Sequence, residues 1–339
     1  MVDKYYIFGY SDYIKNSISD ILSLPNVIYF DAFKSENIIT QLVHRVFISR
    51  YSHLLSRILM PLWKDKYWRG TNIDEDKNSV VILYEINPLS NKQEWIEQMR
   101  KSYPKMKFVY IFTNIIDENN TWRLNRILNK RHLYDLVLTF NRSDAEKYGL
   151  DYYEGVFSKK EIDTNLLGKA VKSDVYFCGL DKGRMKLLCE LYEHLVKQGV
   201  NCVFDIIYPQ SDVILGKDVN SSGIKLHSEL LKNDEMLANV INSKCILEVL
   251  VDRTQPGSSL RMCEAIVYRK KLLTDNPFVT EKHFYNDKQM LYFEKPDDID
   301  VDFIYKTIED ADYLPEDMLS PTKLLEYIEK RVLDDAKKN

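Results

Sequence analysis

The sequence predicts an α/β protein made of two doubly wound, parallel-sheet domains. Short β-forming apolar runs alternate with amphipathic helical stretches, and strands separated by helices pair in parallel. The alternation lapses at 158–173, a linker-like stretch without apolar period, and then restarts. At 339 residues the chain also exceeds what one hydrophobic core ordinarily organises. Order alone therefore suggests two Rossmann-like domains facing each other across a cleft. Their expected bounds are 1–160 and 172–318, followed by a terminal segment, 319–339.

The first domain opens with the strand KYYIF, 4–8, ended by Gly9. A helix is predicted over 12–24, with Ile14, Ile18, Ile21 and Leu22 on one face, then a strand over 26–30. After a long, mostly helical stretch, SVVILY (79–84) is apolar nearly throughout, as in a strand covered on both faces. Trp95 and Met99, four apart, mark a helix over 91–103 that Pro104 ends. KFVYIF (107–112) is another central strand. A helix over 120–130 and a strand over 135–140 complete the domain.

The second domain begins with a strand at 174–178, a helix at 184–198 and a strand at 202–207. Pro, Ser and Gly make 208–224 a loop, and a helix at 234–242 leads to a strand at 244–250. A polar loop over 252–257 contains a Pro-Gly pair. Ser258 or Ser259 can then cap a helix running to Tyr268, whose Leu260, Cys263, Ile266 and Val267 keep helical spacing. A strand at 271–274, one at 289–293, a helix near 300–312 and an amphipathic helix at 321–334 follow.

Composition narrows the function classes. Hydrophobic residues at 45% and charged residues at 29% suit a water-soluble globular protein, and a net charge of −4 argues against a general nucleic-acid binder. No apolar stretch is long enough to span a bilayer, and no secretory leader precedes the first strand, so a cytoplasmic location is expected. Cys178, Cys189, Cys202, Cys245 and Cys263 lie in apolar patterns with no metal-ligand spacing, and their odd number fits reduced core thiols. No D-x-D pair follows an apolar strand, so no metal site is expected. No G-x-G-x-x-G follows either opening strand, which disfavours a nicotinamide enzyme.

Two stretches carry chemistry. In 245–276 a strand, loop, helix and strand aim a helix N-terminus, rich in unpaired N–H groups, across the carboxyl edge of a parallel sheet, a good place for phosphate. Gly257, Ser258 and Ser259 sit at that start, with Arg261 in the first turn. One turn further, Glu264 can accept hydrogen bonds from a ribose diol. In 174–184, DVYFCGLDKGR, Gly179 and Gly183 let the backbone approach a ligand while Lys182 and Arg184 bring cations to the same turn.

SSLRMCEAIVYRKKLLTDNP, 258–277, resembles the donor-site helix of GT-B glycosyltransferases of the lipopolysaccharide and capsular polysaccharide type. The segment 179–184 resembles the start of their donor domain. The resemblance implies that Lys182, Arg184 and the N–H groups at Ser258 and Ser259 hold a donor diphosphate, that Glu264 holds the ribose, and that the last helix crosses back to the first domain. It implies a UDP-linked or other nucleotide-diphosphate sugar as donor and no resident cofactor. The retaining branch often has a glutamate where this chain has Pro256, between Gln255 and Gly257, so retention or inversion stays open. A nucleotide-sugar epimerase, a polyol-phosphate transferase or a non-catalytic nucleotide-sugar-binding subunit remain rival readings.

In the first domain, Asp12, Glu85 and Asn114 follow strand ends and are the candidates to face the acceptor. Either acid can take its proton, whereas Asn114 can only hydrogen-bond it. From 37 to 73, Arg45, Arg50, Arg57, Lys64, Lys66 and Arg69 oppose a single acid, with Trp63 and Trp68 interleaved. A basic, tryptophan-bearing segment at 44–69 is expected to touch a membrane surface, where a polyprenyl-diphosphate-linked glycan acceptor would lie. An ordinary helix packed on the sheet fits equally well.

Overall fold

The computed structural model describes all residues except 32–36, 50–57, 59–63, 69–70, 74–76, 117–126, 209–222, 255–256 and 336–339. The chain divides into two compact units, Met1–Ser158 with Ser320–Asn339, and Lys159–Leu319.

In the first unit six parallel strands are β1 (Lys4–Phe8), β2 (Val27–Phe30), β3 (Ser79–Tyr84), β4 (Lys107–Ile111), β5 (Leu136–Thr139) and β6 (Asp151–Tyr152). They lie in the order β2-β1-β3-β4-β5-β6. Side chains alternate between faces, so apolar strands build two cores. Tyr6, Phe8, Val81, Leu83, Phe108 and Tyr110 pack with Trp68, Trp95 and Met99 on one side. Tyr5, Ile7, Val80, Ile82 and Val109 pack on the other side with Leu324, Leu325, Ile328 and Val332 of the C-terminal helix, Pro321–Asp335. That helix thus returns to the first sheet, and Tyr5 Oη donates to Glu329 at 3.0 Å.

The helices here are α1 (Asp12–Ser17), α2 (Ile38–Ile48), α3 (Gln93–Ser102) and α4 (Arg142–Tyr148). The helix expected over 12–24 breaks at Ile18 (φ −123°) and resumes as the 3-10 turn Ser19–Ser23. Ser17 Oγ bonds back to the Ile14 carbonyl, and Ser158 Oγ donates to the Ser17 carbonyl and accepts from the Asp20 N–H, satisfying the groups the break exposes. Of the helix expected at 120–130, residues up to 126 lie outside the described ones. The helix α4 was not anticipated, although its Asn141 cap and its αL Gly149 (φ 62°) stand in the sequence.

In the second unit the strands are β7 (Ser173–Leu180), β8 (Cys202–Ile207), β9 (Ile224–His227), β10 (Ser243–Glu248), β11 (Lys271–Thr274) and β12 (Met290–Tyr292), all parallel, in the order β12-β11-β10-β7-β8-β9. The helices are α5 (Thr164–Lys169), α6 (Met185–Lys197), α7 (Asn233–Ile241), α8 (Leu260–Val267) and α9 (Val301–Tyr305). Within the expected linker, Asp163 caps α5. β9 forms at the end of the expected loop. The helix expected at 300–312 stops at Tyr305, where Lys271 Nζ gathers the carbonyls of Phe303, Ile304 and Lys306.

Chain order reverses between β1 and β3 in one sheet and between β7 and β10 in the other. At such a switch point adjacent crossovers run to opposite faces and leave a crevice at the strands' carboxyl ends. Cys202 and Cys245 are buried, and burial pushes their thiols up to about 12.

Candidate functional site

The switch point of the second sheet collects the predicted phosphate residues. The turn after β7 is tight: Lys182 (φ 44°) and Gly183 (φ 83°) are left-handed, and the Asp181 carboxylate accepts the Gly183 N–H at 3.1 Å. Arg184 is the N-cap position of α6. Its guanidinium turns back across the edge, donating to the carbonyls of Leu180, Val249 and Asp181 and lying 5.6 Å from the Phe177 ring. A side-chain carbon at Gly179 would stand 3.2 Å from Phe177 and 3.4 Å from Arg184 Nη2, so glycine lets the guanidinium lie close. Burial lowers the Arg184 pKa, opposed by Asp181 and Asp275, and the nearby Arg261 charge lowers it further. Lys182 is exposed and forms no ion pair among the described residues.

The second arm leaves β10. Ser259 caps α8, accepting the Met262 N–H at 3.1 Å, while its hydroxyl donates to Glu248, the last residue of β10. Thr274 at the end of β11 donates to the same carboxyl group. Burial pushes Glu248 up to about 7, with the Thr274 hydrogen bond opposing and Asp275 reinforcing. Asp275, fully buried, receives the Leu250 N–H at 2.7 Å and Arg253 Nε at 2.9 Å, bracing the loop before α8. Gly257 and Ser258 are half-buried in that loop; Gln255 and Pro256 lie outside the described residues.

Glu264 lies on the second turn of α8, and its side chain is 1% exposed. Its carboxylate is taken by Arg261, whose other nitrogen meets Met236 Sδ of α7 at 3.1 Å. Burial raises Glu264, and Arg261 pulls it back. Glu264 is therefore one half of a buried ion pair rather than an open carboxylate. The turn at 181–184 and the start of α8 share one carboxyl edge, tied by the Arg184–Val249 hydrogen bond. Two arginines and a capped helix start on one edge can neutralise an anion and its developing charge.

Glu248, Asp275 and Arg253 were not singled out from the sequence. Each acid directly ends an apolar strand run, CILE or KLLTD, and that was the available signal.

In the first unit Glu85 and Asn114 come together. Glu85 Oε2 accepts from the Thr113 N–H and hydroxyl and the Asn114 N–H and amide, at 3.1–3.3 Å. Glu85 thereby tethers the end of β3 to the turn after β4, which occupies lone pairs a base would need, while Asn114 stays exposed. Asp12 holds the first helical position of α1, and the capping oxygen is that of Ser11. At the β1/β3 switch point a small hollow is lined by Phe8, Tyr10, Phe30, His44, Tyr67 and Asn87 among others. Tyr10 sits at φ 99°, a strained conformation for a residue with a side chain. His44 Nδ1 meets Tyr67 Oη at 3.0 Å, and burial pushes His44 down to about 4.

The expected membrane-facing segment is corrected in part. Trp68 is 2% exposed, packed against Tyr6, Phe8, Phe30 and Trp95, and donates to Met99 Sδ. Its indole belongs to the core, because the sheet face it covers is apolar. Trp63 lies outside the described residues. No helix among the described residues is long and apolar enough to cross a membrane.

No family model matches the sequence, and the search of curated proteins gave no match. Solved structures do match. A UDP-forming α,α-trehalose-phosphate synthase from Burkholderia xenovorans superposes with TM-score 0.57 at 10% identity, covering 99% of this chain and 100% of the other. The α,α-trehalose 6-phosphate synthase from Burkholderia multivorans gives 0.56 at 8%, covering 100% and 99%. A trehalose-6-phosphate structure from E. coli bound with UDP-2-fluoro glucose gives 0.55 at 9%, covering 97% and 96%. At these identities the likeness shows the fold, two Rossmann-like domains of the GT-B kind.

Proposed function

We propose that the chain is a glycosyltransferase that moves a sugar from a nucleotide-diphosphate donor, UDP-linked by preference, to a hydroxyl of a surface-polysaccharide acceptor carried on a polyprenyl diphosphate. The bond from the anomeric carbon to the phosphate oxygen breaks, a bond to the acceptor oxygen forms, the nucleoside diphosphate leaves and the acceptor proton passes to a base. Lys182, Arg184, Arg261 and the N–H groups at Gly257, Ser258 and Ser259 hold the diphosphate. Glu264 serves the ribose by exchanging its Arg261 contact for the diol. Asn114, at the rim of the first sheet, faces the acceptor with Asp12 or Glu85.

The observation that carries this reading is the meeting of Arg184, Arg261 and the Ser259-capped helix start on one strand edge at a switch point. The GT-B fold and the UDP-forming neighbours support the choice of donor. The membrane-surface contact rests on α2, where Ile38, Ile39 and Leu42 are 76%, 72% and 54% exposed beside Arg45. Thermal shift with UDP, GDP, CDP and dTDP tests the donor site, because a ligand selective for the native state raises the melting temperature. Transfer assays with the matching nucleotide sugars then test the chemistry. If no nucleotide shifts the melting temperature, the reading fails.

A further inference from the structure

The second unit holds a polar network that the phosphate and ribose assignments leave unused. Asp205, in the middle of β8, has a side chain only 4% exposed. Its Oδ1 meets His227 Nε2 at 2.7 Å, and its Oδ2 accepts from Tyr176 Oη of β7 at 2.8 Å, with Asn239 of α7 at 3.5 Å. A buried carboxylate that grips one imidazole nitrogen orients the ring and fixes its proton there. Nε2 therefore donates to Asp205, and Nδ1 is an acceptor whenever the ring carries a single proton. Among the described residues Nδ1 has no partner, and the side chain is 27% exposed.

Position links this group to the donor edge. His227 is the last residue of β9, at the same carboxyl edge as Arg184, two strands from β7 and so roughly 10 Å across the sheet. Met236, one turn before Asn239 on α7, is the residue that Arg261 touches. The helix α7 thus runs from the Arg261–Glu264 pair to the Asp205 network. A nucleotide with its diphosphate at Arg184 and its ribose at Glu264 has its base left to lie along that line.

We infer that His227, held by Asp205, reads the nucleobase of the donor, and that the base carries a ring N–H, as uracil and guanine do and cytosine does not. The inference rests on the donor-site reading above. Nδ1 accepts the ring N–H. Cytosine sets an unprotonated ring nitrogen against the same lone pair, losing the bond and adding repulsion.

Calorimetric titration with UDP, GDP and CDP tests it. UDP or GDP should bind at least about tenfold more tightly than CDP, the worth of one well-made hydrogen bond. N3-methyl-UDP and N1-methyl-GDP, whose ring N–H is blocked, should bind the wild-type protein no better than CDP. His227→Leu should bring the ratio close to one, weakening UDP and GDP through the lost hydrogen bond while CDP gains from the repulsion removed. The methylated probes need no variant, so the test survives if His227→Leu fails to fold. CDP binding as tightly as the other two, undiminished binding of the methylated forms, or a preference that persists in His227→Leu overturns the role of His227 and leaves the donor site standing. If none of the three diphosphates binds, both readings fall.

Discussion

The Arg184 guanidinium donates to the carbonyl oxygen of Val249, so the turn leaving β7 is fastened to the end of β10 across the switch point. Charge-assisted hydrogen bonds of this kind contribute roughly 1.5–3 kcal/mol. Arg184→Ala is expected to weaken UDP binding roughly 10–100-fold by calorimetry. Arg184→Lys should fall between, keeping the charge but losing the planar fork that spans two carbonyls. Gly179→Ala, which crowds Phe177 and Arg184, should cost a smaller factor with little change in melting temperature.

The buried pair Arg261–Glu264 makes a second prediction. Removing one partner leaves a buried charge uncompensated, so Glu264→Gln should destabilise the second unit by about 3–5 kcal/mol. Adding Arg261→Met should recover much of that in urea unfolding. Nucleotide affinity should not return with stability. If it does, Glu264 and Arg261 both have only a structural role.

Stability should depend on pH in opposite senses at two buried groups. Glu248 titrates near 7 when folded against an ordinary value of 4.5, so the folded state holds its proton more tightly. Its contribution is complete below about 4.5 and is lost as pH rises through 7. Glu248→Gln should therefore exceed wild type above pH 7 by on the order of 3 kcal/mol and match it in acid. His44 titrates near 4 against 6.5, so its contribution is complete above 6.5 and is lost as pH falls towards 4. His44→Gln should flatten that acid limb. Urea midpoints from pH 4 to 8 measure both.

The exposed apolar stripe of α2 should place the protein on anionic vesicles in co-sedimentation, less so at high salt. Ile38→Ser with Leu42→Ser should reduce the bound fraction several-fold without lowering the melting temperature. Equal sedimentation of variant and wild type would remove α2 from the membrane contact.

The alternation of VVILY, KFVYIF and CVFDII with amphipathic helices determined the two parallel sheets, because a strand covered on both faces is apolar nearly throughout, and Asp205 is accommodated only by its hydrogen bonds to Tyr176 and His227. The cap of α8 was legible to within one residue, Ser258 or Ser259, for an equally local reason, since a hydroxyl can accept an N–H three residues ahead; the structure selects Ser259. β9, an edge strand reading IKLH, was not legible, because an edge strand is half solvated and needs little apolar sequence. Glu264 meets Arg261 three residues before it on α8, a pairing that helical spacing already offers. The fates of Arg184 and Glu248 were decided only in three dimensions, because their partners, Val249 and Thr274, arrive by strand pairing. A long side chain's destination depends on which carbonyls and charges the fold brings within its reach, and no stretch of neighbouring residues records that.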